Sequence, residues 1–210
     1  MIRIIHWLLS LPIVFEWQQR LCNNYGIIRT TFPQYLAVKG KDILDVGCST
    51  GTCAASLISM RDNRYVGIDI DPRYVIRAAQ LHSDGHFLHM DAQALTFPEE
   101  SFDVILFVGA LHHMSGDIIE RCFRQLERVL RPNGVIICAE PLFSDRKLST
   151  WLLRNDRGEF IRDLPGYRTL FTKWDIVEER RFTIAVHDFC GFVLKRRDAK
   201  SLPVRERLAA

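Results

Sequence analysis

The stretch Asp42–Gly51, DILDVGCSTG, continued by TCAASL to Leu57, decides the fold. Its first five residues, DILDV, are mostly branched and apolar without strict polar alternation, so they read as a strand buried on both faces. Gly47 and Gly51 bracket a tight loop, and the small residues from Thr52 onward suit a helix, with Thr50 and Thr52 as candidates to cap it.

Outward from this unit the alternation continues. RYVGIDI (64–70) reads as a second strand, and Asp71-Pro72 opens a helix with proline at a favoured first-turn position. The Asp84-Gly85 turn leads into a third strand, HFLHM (86–90), and FDVILFV (102–108) is the fourth and most apolar. DIIERCFRQLERVL (117–130) is an amphipathic helix, and the turn RPNG (131–134) leads to a fifth strand, VIICAE (135–140). RFTIAVHDFCGFVLKRR (181–197) reads as a hairpin turning around His187 to Cys190. The pattern predicts an α/β fold, a Rossmann-like doubly wound sheet of about seven strands, mostly parallel with a C-terminal antiparallel hairpin and helices on both faces. Ligands of such sheets bind outside the carboxyl ends of the strands. That rule singles out Asp45 to Gly47, Asp69, Asp91, Val108 to His113 and Glu140.

The remaining chain brackets this domain. Residues 1–40 are expected to form a helical cap or lid, 41–197 the ligand-binding domain with a lid insertion at 141–175, and 198–210 a basic solvated tail. The segment MIRIIHWLLSLPIVFEW imitates an export signal, but no small-residue cleavage site follows and Glu16 interrupts it before a bilayer span. The 28 basic and 25 acidic residues leave a net charge of +3, too small to call for nucleic acid or a membrane surface as partner. Six cysteines without a C-x-x-C pair suggest reduced thiols in a cytoplasmic protein.

Gly47, Ser49 and Gly51 satisfy G-x-S-x-G, the elbow of serine hydrolases. That elbow needs several preceding strands and an upstream oxyanion loop, and here one strand precedes Ser49. The dinucleotide fingerprint G-x-G-x-x-G laid on Gly47 meets Ser49 and Thr52 at its second and third glycines. Asp45 at the mouth of the first strand also suits an ammonium group better than a pyrophosphate.

Taken together, DILDVGCSTG, YVGIDID, DAQALTFPEESFDVILFVGALHH and LERVLRPNGVIICAE resemble the four motifs of class I S-adenosylmethionine-dependent methyltransferases, in particular their small "type 11" group. RNDRGEFIRDLPGYRTLF (154–171) and PIVFEWQQRL are similar to further segments of one bacterial subgroup. The resemblance implies S-adenosyl-L-methionine as cofactor, bound by Asp45, Gly47, Cys48, Gly51, Asp69, Ile70, Asp91, Ala92 and Val108. Within it, Asp45 faces the amino group, Asp69 the ribose hydroxyls and Asp91 the adenine amine. Ser49 departs from the family, which usually has glycine there, so the loop either tolerates a β-carbon or binds cofactor less tightly.

His113 stands where members of this family face the methyl acceptor and is the candidate base, with Glu140, Trp17 and Arg157 as further acceptor contacts. The absence of N-P-P-Y or D-P-P-Y after the fourth strand argues against nucleobase or amide methylation, and no acidic trio suggests a metal. The expected partner is a small acceptor, apolar or aromatic given Phe143, Trp151, Phe160 and Tyr167 in the insertion. The alternative is a protein that keeps this fold without transferring methyl, as a cyclase, isomerase or regulatory partner.

Overall fold

The computed structural model describes residues 25–154 and 158–197. Two short helices, α1 (Gly26–Thr31) and α2 (Pro33–Leu36), precede β1 (Asp42–Val46), α3 (Thr52–Leu57), β2 (Arg64–Asp69), α4 (Pro72–Leu81), β3 (His86–His89) and β4 (Phe102–Val108). A 3₁₀ turn at Leu111–His113 leads to α5 (Gly116–Val129), β5 (Leu130–Pro141), α6 (Lys147–Arg154), α7 (Leu164–Leu170), β6 (Trp174–Ile184) and β7 (His187–Arg196).

The seven strands form one sheet in the order β3-β2-β1-β4-β5-β7-β6. β1 to β5 pair in parallel, and β7 runs antiparallel between β5 and β6. Strand order reverses between β1 and β4, so the loops leaving these two strands diverge and open a crevice at their carboxyl ends.

Alternate side chains of the central strands enter two cores, which explains why their sequence shows no polar alternation. Val46, Ile105, Phe107, Ile136 and Cys138 pack with Phe123 and Leu126 of α5 and Tyr167 of α7. Ile43, Val104, Leu106, Val135 and Ile137 pack on the other face with Ala54 and Leu57 of α3. Ile28, Phe32 and Leu36 complete this second core, so the described part of residues 1–40 is built into the sheet's covering layer.

Three local details differ from the sequence reading. The hairpin turns at Ala185 and Val186, not at His187 to Cys190, because Ile184 pairs directly with His187. Ala185 takes φ +53, a conformation usually given to glycine, asparagine or aspartate, so the sequence carried no turn signal. RPNG does not stand before β5 but lies inside it as a bulge, the register passing from Phe102↔Leu130 to Val104↔Val135. α3 is capped at Gly51 without a side-chain bond, and Thr50 Oγ1 lies 3.0 Å from Thr52 Oγ1 instead of capping the helix. Asp71 does cap α4, accepting from Arg73 N–H, with Pro72 in the first turn as expected.

Among the described residues, no helix is long and apolar enough to cross a membrane.

Gly191 of β7 meets the ring of Phe32: a Cβ built there would lie 2.5 Å from Phe32 Cε2 and 3.0 Å from Phe182 Cε1. Gly191→Ala is expected to cost about 1–3 kcal/mol, the usual range for overpacking a core. Thermal unfolding tests it, and an unchanged midpoint would mean that α1 and α2 do not pack on the sheet as described.

Candidate active site

The loop after β1 owes its shape to three residues with positive φ: Gly47 at +71, Ser49 at +50 and Gly51 at +73. Gly47 also approaches the turn after β4, where a Cβ would stand 3.0 Å from that of Ala110. This left-handed path turns the Ser49 N–H toward the end of β2, where it donates to Asp69 Oδ2 at 2.9 Å. The other oxygen of Asp69 accepts from Asp71 N–H at 2.9 Å. The carboxylate is therefore fixed between two loops, and burial raises its pKa.

A cavity of about 470 Å³ opens here, lined from the ends of β1, β2, β3 and β4 and from the first turns of α5. Of the residues singled out in the sequence, Gly47, Asp69, Ile70, Asp91, Ala92 and His113 line it. Asp91 accepts from Gln93 N–H at 2.8 Å, a local turn that holds its side chain at the wall. Behind the glycine loop a smaller cavity of about 60 Å³ is lined by Asp45, Cys48 and Val108, together with Tyr25, Thr50, Thr52 and Cys53. Gly47, Ser49 and Gly109 line both, so the two cavities meet at this loop.

Asp45 is buried and accepts from Tyr65 Oη at 2.7 Å. Desolvation pushes its pKa up to about 7, against the Tyr65 hydrogen bond and helped by the nearby Asp69 charge. Among the described residues, neither cavity is lined by a lysine or arginine. Carboxylates gathered in a low dielectric without a cationic side chain favour a ligand that brings positive charge and disfavour a pyrophosphate.

Several residues singled out in the sequence lie elsewhere. Gly51 lines neither cavity; it turns the chain into α3, where a Cβ would meet His82 Cδ2 at 2.8 Å and the Phe87 ring at 3.1 Å. Glu140 also lines neither and is fully buried. One of its oxygens accepts the N–H groups of Ala110 and Leu111 at 2.9 Å each, and the other lies 2.7 Å from His112 Nδ1. Glu140 therefore holds the turn that carries His113 rather than facing the cavity. Arg162 clasps the same turn from outside, donating to the carbonyls of Leu111, Met114 and Phe160. Gly158 lies so close to the His112 ring that a Cβ there would collide with Cδ2. Trp17 and Arg157 lie outside the described residues.

The sequence reading missed Tyr74, Met90, Gln93, Met114, Ile118 and Cys122 on the cavity wall. Ile118 and Cys122 are four residues apart on α5 and so share one face, a pattern that the sequence presents only as core spacing. Tyr74 follows Pro72 in the first turn of α4, and that closeness to a strand end was the available signal. Among the described residues, no cluster of three His, Cys, Asp or Glu side chains is placed to hold a metal ion.

Residues 43–134 match the family model described as a methyltransferase domain. Among curated proteins, the chain is 32% identical over 140 residues to 2-methyl-6-phytyl-1,4-hydroquinone methyltransferase of Synechocystis sp., an alignment covering 64% of this chain and 40% of that protein. The chain thus spans about two fifths of that relative's length. Among solved structures, magnesium protoporphyrin IX methyltransferase from Synechocystis PCC 6803 with bound SAH aligns with TM-score 0.70 at 12% identity, over 93% of this chain and 99% of that one. The 4+2-cyclase SpnF aligns with TM-score 0.62 at 20% identity, over 81% of each chain. Residues 43–134 therefore match a methyltransferase domain, and the fold is shared with S-adenosylmethionine-dependent methyltransferases, whose cofactor the site can be tested against. The residues present fit that molecule: an acid-lined cavity for a cation, a Gly47 whose backbone passes close to Ala110 at the cavity wall, and a buried hydroxyl on Ser49 with no hydrogen-bond partner.

Glu140→Ala would strand the buried N–H groups of Ala110, Leu111 and His112 together with His112 Nδ1, and is expected to lower stability by about 3 kcal/mol or more. Glu140→Gln keeps a carbonyl oxygen for Ala110 and Leu111 and should cost less. Denaturant unfolding of the two variants measures the difference, and equal small losses would show that the carboxylate does not hold the turn.

Proposed function

We propose that this chain transfers the methyl group of S-adenosylmethionine to a small apolar or aromatic acceptor by in-line displacement. The observation that carries the reading is the two-part, carboxylate-lined cavity at the strand ends, with His113 on the wall contributed by the turn after β4. Bound there, the cofactor supplies a methyl group already activated on a sulfonium.

Asp69 is held by two backbone N–H groups and keeps lone pairs for the ribose hydroxyls. Asp91, Ala92 and Ile70 surround the adenine, and Asp45 faces the ammonium group from the smaller cavity, with Gly47, Cys48 and Val108 shaping the passage between. Displacement at a methyl group needs alignment and exclusion of water, and for a hydroxyl acceptor a base. His113 takes that proton in this reading, on a turn stiffened by Glu140 and Arg162. Arg162 is engaged with backbone carbonyls and therefore does not grip the acceptor.

Met114 and Ile118 extend the wall beyond His113, which supports an apolar acceptor, as does the relative whose name gives a phytyl hydroquinone. A nucleic acid partner is disfavoured because the acidic walls repel a phosphate backbone. The five described cysteines are free thiols, which suits a reducing compartment such as the cytoplasm. A second reading, ring formation without methyl transfer, is favoured by the likeness to a cyclase.

Incubation with methyl-labelled S-adenosylmethionine and hydroquinone, phenolic and sterol acceptors is expected to yield labelled organic product. His113→Ala should slow transfer to hydroxyl acceptors by about 10²–10⁴-fold, the usual contribution of a general base, with cofactor affinity unchanged. Conversion of an acceptor without incorporation of label would favour the cyclase reading.

A further inference from the structure

Ser49 occupies a position that needs no side chain for the loop to form. Its φ of +50 is one that glycine adopts more readily, and its structural bond to Asp69 runs through its backbone N–H. Its hydroxyl does not cap α3, whose N-cap Gly51 has no side-chain bond, and it does not join Thr50 and Thr52, which pair with each other. The Oγ atom is buried and has no hydrogen-bond partner. Buried hydroxyls are ordinarily satisfied, so an unmet one at the junction of two cavities marks a place for an incoming polar group.

We propose that the Ser49 hydroxyl donates a hydrogen bond to the carboxylate of the cofactor's amino-acid tail, so that this chain discriminates against adenosyl thioethers lacking the tail. The inference rests on the cofactor reading above. The other polar parts of that molecule have carboxylates to meet them: Asp69 for the ribose and Asp45 for the ammonium. The tail carboxylate needs a donor instead, and among the described residues neither cavity is lined by a lysine or arginine to supply one. Ser49 lines both cavities and has the donor. The serine then compensates for its unfavourable backbone by a bond that glycine at this position cannot make.

The test is calorimetric titration of wild type, Ser49→Ala and Ser49→Gly with S-adenosylhomocysteine, which has the tail, and 5′-methylthioadenosine, which lacks it. Ser49→Ala is expected to weaken S-adenosylhomocysteine about tenfold or more, the scale of a hydrogen bond to a charged group, and to leave methylthioadenosine within about twofold. Ser49→Gly relaxes the backbone while also removing the hydroxyl. It should reduce the preference for the tailed ligand by the same ratio even if both affinities rise. An unchanged ratio in both variants, or equal weakening of the two ligands, would overturn the inference while leaving the cofactor reading in place. If wild type bound neither ligand, the cofactor reading itself would fail and this inference with it.

Discussion

The structure is organised around carboxylates buried at the ends of parallel strands, with no lysine or arginine among the described residues of the cavity walls to match them. Asp45 and Asp69 sit where desolvation opposes their charge, and each has its pKa raised for that reason. The protein offsets part of this cost with dipoles: the Tyr65 hydroxyl for Asp45, and the Ser49 and Asp71 N–H groups for Asp69. The remainder is left for a ligand carrying positive charge. The strand order that reverses between β1 and β4 opens the space, and the left-handed loop after β1 lets backbone donors reach Asp69. Fold and site therefore share one requirement, room at the switch point for a cation with polar appendages.

The opposite wall depends on a different buried carboxylate. Glu140 ends β5 and gathers the N–H groups of the turn after β4, while Arg162, from the segment between β5 and α7, gathers that turn's carbonyls. Donors and acceptors of one short turn are thus satisfied from two distant parts of the chain, which fixes the backbone that carries His113. Gly158 leaves space for the His112 ring against which this segment rests. The position of His113 is consequently set by the insertion between β5 and β6 as well as by the sheet.

Much of this could be read in the sequence, for identifiable reasons. The central strands carry unbroken β-branched runs because both of their faces are covered, so β1, β2 and β4 fall on 42–46, 64–69 and 102–108, matching the pattern closely. Asp69 and Asp91 were legible because an α/β sheet presents its ligand groups at strand ends. Glu140 was legible by the same rule as a strand-end acid, but the rule does not say toward which loop it points. Its bonds to backbone N–H groups depend on the path of the turn after β4, which no side-chain pattern encodes. The Ala185 turn was hidden because an Ala-Val pair lacks the residues that favour positive φ. Ile118 and Cys122 were hidden because cavity-facing and core-facing positions on one helix share the same spacing.

The most direct measurement of whether the buried acids await a cation is the affinity for S-adenosylhomocysteine as a function of pH, in wild type and Asp45→Asn. Asp45 is largely protonated below its pKa of about 7, and an ammonium group pairs with its ionised form. Binding must therefore release a proton from Asp45 at lower pH, and wild-type affinity should tighten as pH rises from about 5.5 to about 7.5. Asp45→Asn should bind more weakly above pH of about 7 and lose that part of the slope. Equal affinity and an identical pH profile for the two proteins would contradict the account.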